Sequence, residues 1–173
     1  MDLSQKVRAI KDFPKDGIIF RDITTLLQDA ESFGQAIEKI QDSIKDLDFD
    51  IVIGPESRGF IFGTPIAYNL KRGFVPVRKE GKLPWEVNSM SYDLEYGQAT
   101  IEIHKDALTP GQKVVIIDDL LATGGTAKAI VDLVKSMGAE VSALCFLIEL
   151  DGLGGRDVLK DQNVYSVIKF KEE

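Results

Sequence analysis

Residues 114–126 read VVIIDDLLATGGT, an apolar run followed by two acids, a turn of small residues and the start of a helix. The run from Lys113 to Ile117 is rich in β-branched residues, which predicts a strand buried on both faces of a parallel sheet. In an open α/β sheet, the ligand crevice lies at the carboxyl ends of the strands. The polar residues from Asp118 onward are therefore expected to line a binding crevice.

The turn formed by Ala122, Thr123, Gly124, Gly125 and Thr126 is predicted to bind a phosphate. Its glycines let the backbone approach a ligand closely, and its threonines add hydroxyl donors. The first backbone N–H groups of the following helix also favour an anion, because the helix dipole is positive there. The chain contains neither G-x-x-x-x-G-K-[ST] nor G-x-G-x-x-G, which excludes a P-loop and gives no support for a dinucleotide cofactor.

Asp118 and Asp119 follow the predicted strand directly and are expected to face the same crevice. Carboxylates at this point suit ribose hydroxyls or a hydrated Mg²⁺ ion carried by the substrate. The alternative is that they are solvated acids that merely end the strand. The order of strand, acid pair and glycine turn favours the ligand-binding interpretation.

Short apolar strands alternate with helices on both sides of this stretch. The pattern predicts strands over residues 51–54, 74–77, 98–104, 141–148 and 164–170, and helices over 59–71 and 126–137. A further helix, capped by Asp29, has an apolar stripe formed by Phe33, Ile37, Ile40, Ile44 and Leu47. The predicted fold class is therefore α/β, with a mainly parallel sheet flanked by helices.

The amino-terminal segment departs from that alternation. Leu3, Val7 and Ile10 recur at helical spacing and are followed by Pro14, which predicts a short leading helix. Residues 18–27 are then expected to be irregular or to form a hairpin.

A second departure is the stretch from Arg78 to Tyr96, which shows no periodicity. It is too long for a simple connection between two elements, which is typical of a binding loop or lid. With too few apolar contacts to hold one conformation, it is expected to be mobile without substrate.

The composition is that of a folded globular protein with a single core. The chain has 173 residues, 44% of them hydrophobic, and a net charge of −7. This acidic balance argues against nucleic acid or an anionic membrane as a partner, so an anionic ligand must be met by local groups. Residues 1–11 carry charges throughout and no long apolar run occurs, which predicts a cytoplasmic protein. Cys145, within an apolar run, is expected to be buried and inert.

The acid pair with its Ala-Thr-Gly-Gly-Thr turn resembles the phosphoribosyl diphosphate signature of the type I phosphoribosyltransferases. Within that family, the chain is most similar to the members that use adenine. The matching segments lie in the family's order along nearly the whole chain: Phe13-Pro14, Gly17 to Ile23, Glu56 to Phe60, Arg78 to Pro84 and Leu94 to Gly97. The resemblance implies one type I phosphoribosyltransferase domain over residues 1–173, with a small hood over about 1–30 and a mobile lid over about 78–97.

The resemblance also implies an activity in purine salvage. Such enzymes join adenine to 5-phosphoribosyl 1-diphosphate, forming AMP and releasing diphosphate in the presence of substrate-bound Mg²⁺, and a homodimer is expected. In this family Arg58 would stabilise the departing diphosphate, and Glu95 would be the general base for N9 of adenine.

Further residues take roles through the same resemblance. Diphosphate would be bound by Ser57, Arg58, Arg78, Lys79 and Lys82, and adenine by Ile19, Phe20, Arg21 and Leu153. Ribose phosphate would be bound by the acid pair and the turn, with Mg²⁺ near Asp118 and Asp119 held mainly through substrate and water. In this family the basic lid segment can reach the neighbouring subunit's site. The peptide between Glu56 and Ser57 would be cis.

Two alternatives stay open on the residues alone. An enzyme for xanthine, hypoxanthine, guanine or orotate would have the same phosphate turn, because the recognition of adenine depends on backbone groups and leaves a faint side-chain signature. A non-catalytic regulator that senses phosphoribosyl diphosphate would be expected to carry an added basic DNA-binding segment. The net charge of −7 disfavours that second alternative.

Overall fold

The structure, a computed structural model, describes residues 1–94 and 96–171. The strands are β1 Arg8–Lys11, β2 Ile19–Asp22, β3 Ile51–Pro55, β4 Gly73–Lys79, β5 Val87–Asp93, β6 Gln98–His104, β7 Lys113–Leu121, β8 Glu140–Asp151 and β9 Val164–Lys171. The helices are α1 Thr24–Gln28, α2 Ala30–Ile44, α3 Arg58–Asn69, α4 Gly125–Ser136 and α5 Gly155–Val158, preceded by a 3₁₀ helix at Leu3–Lys6. No helix in the described part of the chain is both long and apolar enough to cross a membrane.

The main sheet has the strand order β5-β6-β4-β3-β7-β8-β9. Strands β4, β3, β7, β8 and β9 are parallel, whereas β5 and β6 form an antiparallel pair beside β4. The chain enters the sheet at β3, extends it on one side with β4, and later returns to the other side of β3 with β7. The order therefore reverses between β3 and β7, and such a switch point opens a ligand crevice at the carboxyl ends of the strands.

Helices cover both faces of this sheet, as the predicted α/β class requires. On β7, Val115 and Ile117 pack with α2 and α3, while Val114 and Ile116 pack with α4 on the other face. Each of these four side chains is at most 1% exposed. Burying one such side chain contributes about 1.5–3 kcal/mol, so β7 is firmly held where its polar end begins.

The predicted helix after residue 29 is confirmed as α2, and its stripe residues Ile40 and Ile44 are fully buried. Asp29 occupies the N-cap position, but its side chain makes no capping hydrogen bond. Its carboxylate lies 2.9 Å from the Lys6 ammonium group instead. The cap therefore ties the helix to the amino-terminal segment.

The predicted leading helix is wrong beyond its first turn. Helical structure stops at Lys6, and β1 pairs antiparallel with β2, so the hairpin expectation for residues 18–27 is correct over Ile19–Asp22. In that pairing the guanidinium of Arg8 donates to the Asp22 carboxylate at 2.9 and 2.5 Å. Cross-strand pairing of this kind overrides a weak helical pattern because local propensity is only a weak prior.

The expectation that residues 78–96 lack regular structure is wrong for residues 78–79, which end β4, and for residues 87–93. This segment is β5, which pairs with β6 along its whole length, from Val87 opposite His104 to Asp93 opposite Gln98. Met90 and Tyr92 pack against the apolar cluster beneath α4, which supplies the contacts that the sequence pattern did not suggest.

The strand β7 is longer than the predicted run from Lys113 to Ile117. It continues to Leu121 because its last residues keep their pairing with β8, for example Leu121 opposite Glu149. Asp118 and Asp119 therefore lie within the strand and inherit its rigid backbone, whereas the sequence had placed them after it.

Candidate active site

A cleft of about 280 Å³ lies at the switch point between β3 and β7. Seven of the residues that were expected to bind substrate line it: Ser57, Arg58, Arg78, Lys79, Asp118, Asp119 and Thr126. An adjoining cleft of about 240 Å³ is lined by the whole turn from Ala122 to Thr126 and by the acid pair. Arg58 lines both clefts, so the two form neighbouring halves of one site.

The phosphate turn has the geometry that the glycines predict. Gly124 has a φ of 85°, in the left-handed region that favours glycine, and α4 begins at the next residue. The first turn of α4 contains no acidic residue, so its positive dipole is not offset there. The hydroxyl of Thr126 donates to the Tyr92 hydroxyl at 3.0 Å, which ties the turn to β5.

The acid pair is largely withdrawn from solvent. Asp119 is 7% exposed, and its backbone N–H donates to the Asp118 carboxylate at 2.8 Å. Burial, followed by the negative charge of Asp119, raises the pKa of Asp118 well above its ordinary value. The negative charge of Asp119 is compensated by an ion pair with the guanidinium of Arg58. Two carboxylates and one guanidinium thus face each other across the switch point.

Arg58 reaches Asp119 because α3 starts very close to β7. A Cβ atom at Gly59 would lie 2.6 Å from the Pro55 ring and 2.9 Å from the Ile117 carbonyl oxygen, so only glycine permits this approach. The peptide bond between Glu56 and Ser57, just before α3, is cis, as the family resemblance implied.

The cations at the end of β4 are held by a carboxylate from the loop between β3 and α3. Glu56 accepts a hydrogen bond from the Lys79 backbone N–H at 2.7 Å and another from Arg78 Nη2 at 3.4 Å. The Lys79 N–H, and then the Arg78 side chain, lower the pKa of Glu56, so this carboxylate is ionised at neutral pH. Lys82 does not line the cleft, but its carbonyl oxygen accepts from Arg78 Nη1 at 3.2 Å.

The amino-terminal hairpin contacts the site through the aromatic ring of Phe20, on β2. Its centroid lies 5.8 Å from the Arg58 guanidinium carbon, and Phe13 packs on it edge to face at 5.2 Å. The neighbouring Arg21 instead stacks over the Phe170 ring, at 4.1 Å, and so anchors the hairpin to β9. Ile19, between the hairpin loop and Phe20, is 37% exposed.

The other predicted contact to the base, Leu153, is 42% exposed on the segment between β8 and α5. Its neighbours Gly152 and Gly154 line a third cleft of about 220 Å³, which also includes Leu121, the last residue of β7, and Ala122, the first residue of the phosphate turn. The predicted general base Glu95 lies outside the described residues.

Comparison with known proteins identifies this arrangement. The phosphoribosyl transferase domain matches residues 23–172. An adenine phosphoribosyltransferase from Lachnoclostridium phytofermentans is 59% identical over 97% of both chains. The chain belongs to the adenine phosphoribosyltransferase family.

Solved adenine phosphoribosyltransferases share the whole fold. The enzyme from Thermoanaerobacter pseudethanolicus is 51% identical and superposes with a TM-score of 0.95 over 98% of both chains. The enzyme from Saccharomyces cerevisiae, solved with D-2,5-dideoxy-2,5-imino-altritol 1,6-bisphosphate and adenine, is 37% identical with a TM-score of 0.90 over 96% of both chains. The predicted type I phosphoribosyltransferase fold is therefore confirmed.

Two residues at the site of this adenine phosphoribosyltransferase fold were given no role from the sequence. Glu56 was noted only as part of a motif, and Tyr92 was hidden in a stretch interpreted as a loop. The alternation of Met90 and Tyr92 with polar neighbours is a strand pattern that could have indicated an inward-facing tyrosine.

Proposed function

We propose that this chain forms AMP from adenine and 5-phosphoribosyl 1-diphosphate and releases diphosphate, a reaction of purine salvage. The observation that carries the proposal is one crevice in which Arg58 lies between a phosphate turn, a pair of carboxylates and a cationic strand end. These three features match the three polar parts of the sugar substrate: its 5-phosphate, its hydroxyls and its diphosphate.

The turn from Ala122 to Thr126 would bind the 5-phosphate through backbone N–H groups and threonine hydroxyls. Asp118 and Asp119 would accept hydrogen bonds from the ribose hydroxyls, which are neutral donors suited to carboxylates in a confined site. With the 5-phosphate held at one end of the sugar and the hydroxyls held at its middle, the orientation of the C1′ atom is fixed. Such orientation supplies much of the rate enhancement in group transfer.

The diphosphate would then lie toward Ser57, Arg58, Arg78, Lys79 and Lys82. As the bond from C1′ to the diphosphate oxygen breaks, negative charge grows on the leaving group and positive charge on the sugar ring. Preorganised cations lower the energy of that charge-separated state. Glu56 holds Arg78 and Lys79 at the cleft before substrate arrives, so little reorganisation is needed during the reaction.

Adenine would bind between the hairpin residues Ile19, Phe20 and Arg21 and the residue Leu153. The domain shared by phosphoribosyltransferases in general matches only from residue 23, whereas adenine phosphoribosyltransferase relatives match 97% of the chain, including most of the hairpin. The hairpin is thus shared with adenine-specific relatives, which supports adenine over the other bases.

A magnesium ion fits this site as a companion of the substrate. Among residues 1–94 and 96–171, no group of three His, Cys, Asp or Glu side chains could hold a metal ion. Asp118 and Asp119 would contact the hydrated ion, with substrate oxygens supplying most of its ligands. When bound, Mg²⁺ neutralises charge on the diphosphate.

We also propose that the enzyme is a homodimer of the cytoplasm. The large side chain of Trp85, which packs edge to face against His104 on β6, is 56% exposed, which suits a contact with a second chain. The sugar substrate is a polyanion that membranes retain, so the enzyme is expected in the compartment where that substrate is made.

Glu95 is proposed to accept the N9 proton as N9 attacks C1′. Changing Glu95 to glutamine removes the base but preserves its size, so we expect the single-turnover rate to fall by about 10²-fold, within the range of general-base effects. The affinity for 5-phosphoribosyl 1-diphosphate, measured by calorimetry, is expected to stay within twofold of the wild type. An unchanged single-turnover rate would remove Glu95 from the mechanism.

The proposed function is tested by mixing the protein with 5-phosphoribosyl 1-diphosphate, Mg²⁺ and one free base at a time. We expect AMP from adenine and much slower product formation from hypoxanthine, guanine, xanthine or orotate. Faster turnover of another base would reassign the enzyme within its class. Tight binding of the sugar diphosphate without turnover of any base would favour a regulator.

A further inference from the structure

An ion pair behind the site, whose carboxylate is buried and whose guanidinium is half-exposed, has no part in the proposed chemistry. Glu149, on β8, is 4% exposed, and Arg156, on α5, donates to its two carboxylate oxygens at 2.7 and 2.8 Å. The Ser166 hydroxyl donates to the same carboxylate at 2.5 Å, and the Lys169 ammonium group lies 3.7 Å away. This two-pronged geometry lowers the pKa of Glu149 and raises that of Arg156, so both are charged at neutral pH.

The pair fixes α5 to the sheet, and α5 in turn supports the phosphate turn. A Cβ atom at Gly155 would lie 2.4 Å from the Ala122 carbonyl oxygen, so the start of α5 and the turn are in the closest contact that backbones allow. From the other side, a Cβ atom at Gly124 would lie 3.2 Å from Gly155 Cα. A shift of α5 would therefore move the turn or open a gap behind it.

The segment that leads into α5, residues 152–154, is rich in glycine and exposed. Gly152 and Gly154 have φ values of 102° and 80°, and glycine is the residue with most backbone freedom to lose. Leu153, between them, is 42% exposed. On the carboxyl-terminal side of this segment, Arg156 has the first side chain with a charged tertiary partner, and its guanidinium also donates to the Val164 carbonyl oxygen at 3.1 Å.

We propose that Arg156 is a positioning residue for AMP formation. Through Gly155 it sets the position of the phosphate turn, and through the same segment it sets the position of Leu153 on the adenine side. Its effect is confined to the nucleotide half of the site, because the diphosphate half is carried by β3, α3 and β4 on the other side of the switch point. This inference rests on the proposed function.

The direct test is Arg156→Gln, compared with the wild type for binding of AMP and of magnesium diphosphate by calorimetry. A displacement of about 1 Å can cost about 10²-fold in a reacting geometry, and we expect AMP affinity to fall by at least about 10-fold. Diphosphate affinity is expected to change by less than about twofold. Arg72→Gln is the matched control, since Arg72 stacks on Phe49 near the amino end of β4, and both affinities should be unchanged.

A merely structural role predicts a different pattern. Loss of global stability would lower the melting temperature but leave the affinities of the folded protein for AMP and diphosphate unchanged, or would reduce both affinities equally. Either result overturns the proposal. If Arg156→Gln does not fold, Arg156→Lys replaces it in the test. Lysine keeps the positive charge beside Glu149 but cannot make the two parallel hydrogen bonds of the guanidinium, and the same selective loss of AMP affinity is required of this variant. If wild-type protein binds no AMP, the proposed function fails, whereas AMP binding that is insensitive to Arg156 refutes only the positioning role.

Discussion

Replacing Asp118 and Asp119 together by asparagine is expected to lower kcat/KM for AMP formation by about 10³-fold or more, with the fold intact. Both carboxylates line the crevice at the switch point, and one of them pairs with Arg58. Asparagine keeps the shape but removes the charge that would favour the ribose hydroxyls and the positive sugar ring. Effects of this size follow when preorganised electrostatics and orientation are lost together.

The thermal stability of the double variant is expected to stay near that of the wild type, which separates the loss of activity from unfolding. The pKa of Asp118 is higher in the folded protein than its ordinary value, owing to burial and to Asp119. For such a group the folded state binds more protons than the unfolded state, so stability falls as pH rises above the unfolded pKa. At neutral pH Asp118 therefore costs stability, and its removal offsets the loss of the ion pair between Asp119 and Arg58, so the double variant is expected to melt near the wild-type temperature.

Steady-state kinetics and thermal melts at pH 7 measure the two effects. The control is the double change of Asp42 and Asp132 to asparagine, which alters the net charge equally at exposed ion pairs on α2 and α4. That control should keep wild-type activity. A double variant at Asp118 and Asp119 that melts well below the wild type, with activity lost in proportion, would make the acid pair structural.

The sequence alone predicted those strands and helices that are determined by their own residues. The run from Val114 to Ile117 is buried on both faces, whereas a half-exposed helix or strand would leave at least one of four consecutive apolar side chains in solvent. The phosphate turn was equally evident, because its glycines and threonines act through the backbone at adjacent positions.

Contacts between distant segments explain what the sequence did not reveal. The amino-terminal hairpin depends on Arg8 and Asp22, which are 14 positions apart, and helical spacing nearby gave a competing signal. The support of the turn by Gly155 depends on a contact across some thirty positions, between Gly124 and Gly155. Local pattern cannot predict either pairing, since both are decided by how elements pack.

The pairing of Arg58 with Asp119 is of the same kind, since the two residues are 61 positions apart. Separate roles on the diphosphate and on the ribose were assigned to them from the family resemblance. The structure adds that the two residues are partners in an ion pair. Under the proposed function, the sugar diphosphate would exchange this ion pair for contacts of each residue with the ligand.

Changing Arg58 to alanine is accordingly expected to lower kcat/KM by about 10³-fold, the upper end of the effect of removing one preorganised group that stabilises developing charge. The guanidinium would be the main partner of the departing diphosphate, and its loss also leaves the buried Asp119 carboxylate without a counter-charge. Arg58→Lys should recover only part of the loss, because an ammonium group cannot form two parallel hydrogen bonds.

Binding of diphosphate and of AMP, the two substrates of the reverse reaction, distinguishes the loss of the diphosphate contact from the loss of the counter-charge of Asp119. We expect diphosphate affinity, measured by calorimetry with Mg²⁺, to fall by about 10²-fold in Arg58→Ala, since charge-assisted hydrogen bonds are lost outright. AMP affinity is expected to fall by less than about 10-fold, because the turn and the acid pair remain and the ribose hydroxyls can still donate to Asp119. The variant Arg72→Ala, at the opposite end of β4, should leave both affinities unchanged. Equal losses for AMP and diphosphate in Arg58→Ala would mean that Arg58 acts by holding Asp119 in place, and that the leaving group is stabilised by Arg78 and Lys79 instead.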